Sequence, residues 1–99
     1  MMRLRVSRRA LRDLDEIFDY WAGRAGLQVA DRLIEAIEEQ FALLCEMPRI
    51  GRQCEEVGPG VRSFPAGKYL IYYRPSRGAM HILHVFHGAR DQARGFMDK

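Results

Sequence analysis

The residue pattern predicts an α+β fold: an N-terminal strand, an antiparallel helical hairpin, then a three-stranded antiparallel meander. Three observations carry this. Apolar residues recur at steps of three and four from Ala10 to Trp21 and again from Ala30 to Cys45, the period of two amphipathic helices. Only Arg24-Ala25-Gly26 intervenes between the helical stretches, so they should lie antiparallel. Residues 61–87 then hold three runs rich in aromatic and β-branched residues, separated by the turn signals Ala66-Gly67 and Pro75-Ser76-Arg77-Gly78. The 99 residues make one domain, 1–99, with a modest core.

The chain opens with residues 2–7, where Leu4 and Val6 alternate with Arg3 and Arg5 as in a half-buried strand. Ser7 follows as an N-cap, its hydroxyl available to a free first-turn N–H. A reciprocal capping box is absent, because Ala10 stands where Glu or Gln would be.

The first helix begins at Arg8. Ala10, Leu14, Ile17 and Trp21 form its apolar stripe, widened by Leu11 and Phe18, while Asp13, Asp15, Glu16 and Asp19 are expected to face water. Gly26 ends it, expected in the left-handed conformation of a C-terminal cap. The second helix, residues 27–46, buries Ala30, Leu33, Ile34, Ile37, Phe41, Leu44 and Cys45 and turns Glu35, Glu38 and Glu39 outward. Met47-Pro48 stops it, since the residue before a proline is pushed out of helical geometry.

Residues 49–60 read as a loop, with Gly51 and Gly58-Pro59-Gly60 as turn signals. Strands are expected at 61–65, 68–74 and 79–87, and Pro65 suits an edge or a strand end. Residues 88–99 form a polar tail with room for one helical turn.

Composition narrows the function classes. Hydrophobic residues make up 47% and charged residues 29%, the balance of a globular chain. No apolar run approaches the ~20 residues that span a bilayer. The basic start has no apolar segment behind it, so neither a secretory signal nor a membrane role is expected, and the cytoplasm is the expected compartment. There Cys45 and Cys54 should remain free thiols. Charge is segregated along the chain. Residues 1–25 carry six Arg and four acids, 26–47 one Arg and five acids, and 48–99 nine Lys or Arg and four acids, giving +2, −4 and +5. The acidic middle and the basic second half therefore belong to different surfaces, and a basic face suits nucleic acid or an acidic protein.

The basic, histidine-bearing stretch 61–91 holds the residue types that could carry chemistry. His81, His84 and His87 share one strand, but alternation is expected to turn His84 away from the other two, and those two lie about 20 Å apart at the strand rise. No metal site and no cofactor are expected. Phosphate-binding loops and a G-x-S-x-G elbow are absent, Ser7, Ser63 and Ser76 carry no signal of activation, and Glu55 and Glu56 read as solvated loop acids. One enzymatic arrangement is open: Arg62, Arg74, Arg77, His84, His87 and Arg90 gathered at one end of the sheet, near Tyr72 and Tyr73. Metal-free RNA cleavage needs a proton acceptor, a proton donor and cations for the phosphate, which these residue types supply. The alternative is that these arginines only solubilise the surface and meet partners.

The chain resembles the ParE toxins of bacterial type II toxin–antitoxin modules, within the RelE/ParE superfamily. The resemblance rests on Ser7-x-x-Ala10-x-x-Asp13-Leu14-x-x-Ile17, Phe41-x-x-Leu44, Pro48-x-x-Gly51-Arg52, Val61-Arg62-x-Phe64, residues 69–74 (YLIYYR) and residues 85–91 (VFHGARD). It implies a RelE/ParE-like domain and a toxin that poisons DNA gyrase by protein contact rather than by catalysis. It also implies a ParD-like ribbon-helix-helix antitoxin, through which alone the chain would meet DNA. On this reading Arg74, His87, Arg90 and Asp91 are expected to face the target, and Phe18, Tyr20, Trp21 and Tyr72 the antitoxin. The sister RelE branch cuts mRNA on the ribosome with basic residues and often a C-terminal tyrosine or histidine. Arg62, Arg74 and His87 would be the catalytic set of that alternative, although no tyrosine follows Tyr73.

Overall fold

Residues 2–88, the part that the computed structural model describes, run β1 (Arg3–Val6), α1 (Arg8–Ala25), α2 (Leu27–Glu46), β2 (Arg52–Gln53), β3 (Arg62–Ala66), β4 (Tyr69–Ser76) and β5 (Ala79–His87). The strands form one five-stranded sheet ordered β1-β5-β4-β3-β2. The three-stranded meander is antiparallel, as expected from its tight turns. β1 joins it at the edge, parallel to β5, with Arg3 opposite Ala79 and Val6 opposite Ile82. A parallel pair needs a crossover, and the helical hairpin lies in that crossover.

Local chemistry sets the helix ends. Ser7 Oγ accepts a hydrogen bond from the Ala10 amide at 3.0 Å and donates to the Leu83 carbonyl at 3.0 Å. The cap thus also ties α1 to β5. Gly26 ends α1 and begins α2 at φ 97°, ψ 164°. This is an extended positive-φ conformation open essentially to glycine alone, rather than the left-handed helical one expected.

The helices cover one face of the sheet. Leu14 and Ile17 of α1 and Ile37, Phe41 and Leu44 of α2 pack on Ile71, Tyr73, Met80, Ile82 and Val85. Full burial of side chains of this size contributes about 1.5–3 kcal/mol each. The other face carries a second, smaller cluster in which Tyr72 and Phe86 lie against Cys54 and Val61 of the 54–61 segment. Residues 49–60, expected as a plain loop, thus include a part packed down on the sheet, and within them Arg52–Gln53 form the short β2 paired to β3.

Two further expectations are corrected. Leu11 is 52% exposed and does not widen the core stripe. Asp13 does not face water: it is 8% exposed, because it lies three residues after Ala10 and four before Ile17 and so falls on the buried side of α1.

Candidate functional site

Strand register decides which basic side chains can meet. In β5, His84 pairs with Tyr72 and Ile82 with Tyr73, which leaves Leu83 as the extra residue of a β-bulge. The bulge resets the alternation. His81, opposite Arg74, and His84, opposite Tyr72, lie on the same open face, because Arg74 and Tyr72 are two residues apart on β4. His87, opposite Tyr69, is on the helix side. The expectation that His81 and His87 share a face is therefore overturned by one inserted residue.

Each histidine has its own surroundings. His81 Nε2 lies 3.0 Å from Ser76 Oγ. His87 packs edge-on to Tyr69, ring centres 5.4 Å apart, and the Tyr69 hydroxyl accepts a 2.9 Å bond from the Trp21 indole. His84 is buried. Its Nδ1 is 2.5 Å from Asp13 Oδ2, and its Nε2 is 3.2 Å from Arg9 Nη2. A guanidinium can only donate, so Nε2 accepts and Nδ1–H donates to the carboxylate. Arg9 Nε also reaches Asp13 Oδ1 at 3.4 Å. This Asp–His pair resembles the orienting half of a hydrolytic triad, but Arg9 occupies the nitrogen that would take a proton. Among the described residues no three His, Cys, Asp or Glu side chains are grouped to hold a metal.

The arginine–histidine set considered for RNA cleavage is dispersed. Arg62 Nη1 donates to the carbonyls of Gly51 (2.7 Å) and Arg49 (3.1 Å). Beside it the Tyr73 hydroxyl donates to the Pro48 carbonyl and accepts from the Gly51 amide, both at 2.9 Å. Arg62 and Tyr73 thus clasp the turn that follows α2. Burial pushes the Tyr73 phenol above the usual tyrosine range, the Gly51 amide and Arg62 opposing. Burial likewise raises Tyr72. Arg74 is exposed on the open face, whereas His87 sits on the opposite face, across from Tyr69 at the other end of β4. Five residues of β4 span about 17 Å. Arg62, Arg74 and His87 do not converge.

The residues expected to contact partners differ in what they offer. Tyr20 is 42% exposed, edge-on to Trp21 at 5.3 Å and under the Arg24 guanidinium at 4.6 Å. Phe18 and Trp21 are half-buried. Tyr72 is 6% exposed beneath the 54–61 segment and presents almost no surface. Arg90 and Asp91 lie outside the described residues. Sequence reasoning missed Asp13 and Arg9. The i, i+4 spacing of the two and the place of Asp13 within the apolar period were the available signals.

Comparison with known proteins bears on the whole chain. A family model described as the ParE toxin of the type II toxin–antitoxin system parDE matches residues 4–92. Toxin ParE1 of Mycobacterium tuberculosis is 31% identical over 90 residues, covering 90% of this chain and 92% of that protein. Toxin ParE3 of Caulobacter vibrioides is 31% identical over 81 residues, covering 82% and 81%. Among solved structures, a chain of the chromosomal ParDE TA system from P. aeruginosa superposes with a TM-score of 0.76 at 27% identity, covering 88% of this chain and 96% of that one. The match spans both helices and all five strands, and the chain belongs to the ParE toxin family of type II toxin–antitoxin systems.

Proposed function

We propose that this ParE-family toxin arrests growth in the cytoplasm by gripping DNA gyrase, without catalysis, and is held inactive by a ParD-like ribbon-helix-helix antitoxin. The observation that carries the choice against RNA cleavage is the dispersal of Arg62, Arg74 and His87. Arg62 is committed to two backbone carbonyls, and Arg74 and His87 lie on opposite faces of the sheet. A metal-free nuclease needs such groups around one phosphate.

The antitoxin reading draws support from the outer edge of β1, which pairs with no other strand among the described residues. Leu4 of β1 and Met47 after α2 are exposed, 46% and 51% accessible. A cleft of about 530 Å³ opens between Met2, Cys45, Glu46, Pro48 and Gly78. An extended segment adding to the β1 edge could place apolar side chains there, while a helix could use Tyr20 on the hairpin.

The test is to induce the toxin alone, then assay trapped gyrase–DNA cleavage complexes and ribosome-bound mRNA cuts in parallel. Trapped complexes without mRNA cuts are expected. Cuts that disappear in Arg74→Ala or His87→Ala would overturn the gyrase reading in favour of the nuclease. Growth unaffected by induction would show that the chain has lost its toxicity.

A further inference from the structure

The open face of the sheet, at the β1–β5–β4 end, carries basic side chains that the fold does not use, and of these only Arg74 is expected to face the target. Arg5, His81 and Arg74 are consecutive partners across the three strands and form one row. Arg3 lies in the next row, with Ala79 and Ser76, and Arg77 sits in the turn joining β4 to β5. At ordinary strand spacings Arg5 and Arg74 are about 10 Å apart and Arg3 and Arg5 about 7 Å apart at their Cα atoms.

All four arginines are exposed, and none makes an ion pair among the described residues, where the pairs involve only Arg9, Asp13, Arg52, Glu56 and His84. The two acids of the neighbouring 54–61 segment are engaged elsewhere, Glu56 with Arg52 and Glu55 with the Gly60 amide. Of the acids of α2, Glu35, Glu38 and Glu39 belong to the helix layer on the other side of the sheet, and Glu46 lines the cleft with Met2 and Gly78 and makes no ion pair with these arginines among the described residues.

The occupant follows from what accompanies this charge. Protein partners are held by buried apolar and aromatic anchors. Among the described residues the large exposed apolar side chains lie on the helices, in the 47–51 connection and, as Leu4, on the helix-side face of β1. Single-stranded nucleic acid is held by stacking on exposed rings, but among the described residues Tyr72, Phe86 and His84 of this face are buried, and the half-buried His81 ring is tied to Ser76 Oγ. Exposed arginines without anchors or stacking platforms match a regular array of phosphates, which guanidinium groups bind through paired hydrogen bonds.

We infer that the Arg3–Arg5–Arg74–Arg77 face binds the phosphodiester backbone of duplex DNA directly and without sequence preference. This goes beyond the expectation that the chain meets DNA only through its antitoxin. It does not depend on the identity of the toxin's target.

Fluorescence anisotropy with a labelled duplex of arbitrary sequence, titrated with the full chain between about 50 and 200 mM salt, tests it. The Arg5→Glu, Arg74→Glu double variant should bind about tenfold more weakly or worse, and the slope of log affinity against log salt should become shallower by about 2. Arg12→Glu with Arg32→Glu, the same charge change on exposed helix positions, should bind nearly as the wild type. Arg5→Gln with Arg74→Gln gives the same reading should the reversal variant fail to fold. Equal losses in the helix and sheet variants would overturn the inference. So would a salt slope unchanged by the sheet variants, or a poly-glutamate peptide binding as tightly as the duplex at the same salt.

Discussion

One carboxylate oxygen, Asp13 Oδ2, accepts hydrogen bonds from the Nδ1 of His84 at 2.5 Å and from the backbone amide of Val85 at 2.9 Å. β1 pairs with β5 only as far as Ile82. Beyond that point Ser7 bonds the Leu83 carbonyl and Asp13 the Val85 amide, so α1 closes the edge that β1 leaves open. A buried edge amide without a partner is costly.

Asp13→Ala should therefore destabilise the fold by about 3 kcal/mol, combining two lost bonds to a charged acceptor with a stranded amide. Asp13→Asn, which keeps an acceptor for the amide, should cost less. Urea denaturation of the two variants gives the comparison. A loss under about 1 kcal/mol in Asp13→Ala would show that the contact is dispensable.

The turn after α2 yields a second prediction. A Cβ on Gly51 would stand 2.4 Å from the Tyr73 hydroxyl and 2.6 Å from the Ser63 carbonyl oxygen, and the latter is backbone that cannot swing aside. Gly51→Ala should destabilise more than Tyr73→Phe, which loses the bonds to the Gly51 amide and the Pro48 carbonyl at a cost of about 1–3 kcal/mol. Thermal unfolding of both variants checks the order.

The same tyrosine sets an alkaline limit. Burial holds the Tyr73 and Tyr72 phenols above the ordinary value, so the unfolded chain loses those protons first, near pH 10. Stability should be intact below that pH and fall as pH rises through the raised folded values. The Tyr73→Phe, Tyr72→Phe double variant should show a shallower fall in a denaturation series from pH 9 upward.

Arg62 and Arg74 should separate structure from surface. Arg62→Gln gives up two carbonyl contacts and should cost about 1–2 kcal/mol. Exposed Arg74→Gln should stay within about 0.5 kcal/mol of wild type. A loss of toxicity in the first variant should track its lowered midpoint, and in the second it should occur with the midpoint unchanged.

Cys45 and Cys54 are free and buried. Burial, with the Glu46 carboxylate, pushes the Cys45 thiol up, away from the reactive thiolate. Native protein at pH 8 should take up iodoacetamide at Cys45 at least tenfold more slowly than protein in denaturant, as read by mass spectrometry.

The residues 8–46 declared their helices and the ends of those helices unaided, because a 3.6-residue period and glycine or proline stops are properties of adjacent residues. Tight turns likewise announced the meander. Local pattern could not say that the chain's first strand lies beside its last, that residues 52–53 pair with β3, or that Leu83 is inserted as a bulge. These are pairings between distant segments. The bulge matters most for the candidate site, since it moves His84 to the face of His81 and the reading by simple alternation fails. Burial of Asp13 was available from its spacing, but its purpose was not, because the amide and the imidazole it satisfies belong to β5. Charge segregation was visible in the segment totals. That Arg5 of the first strand and Arg74 of the fourth stand in one row was decided only when the sheet brought β1 against β5.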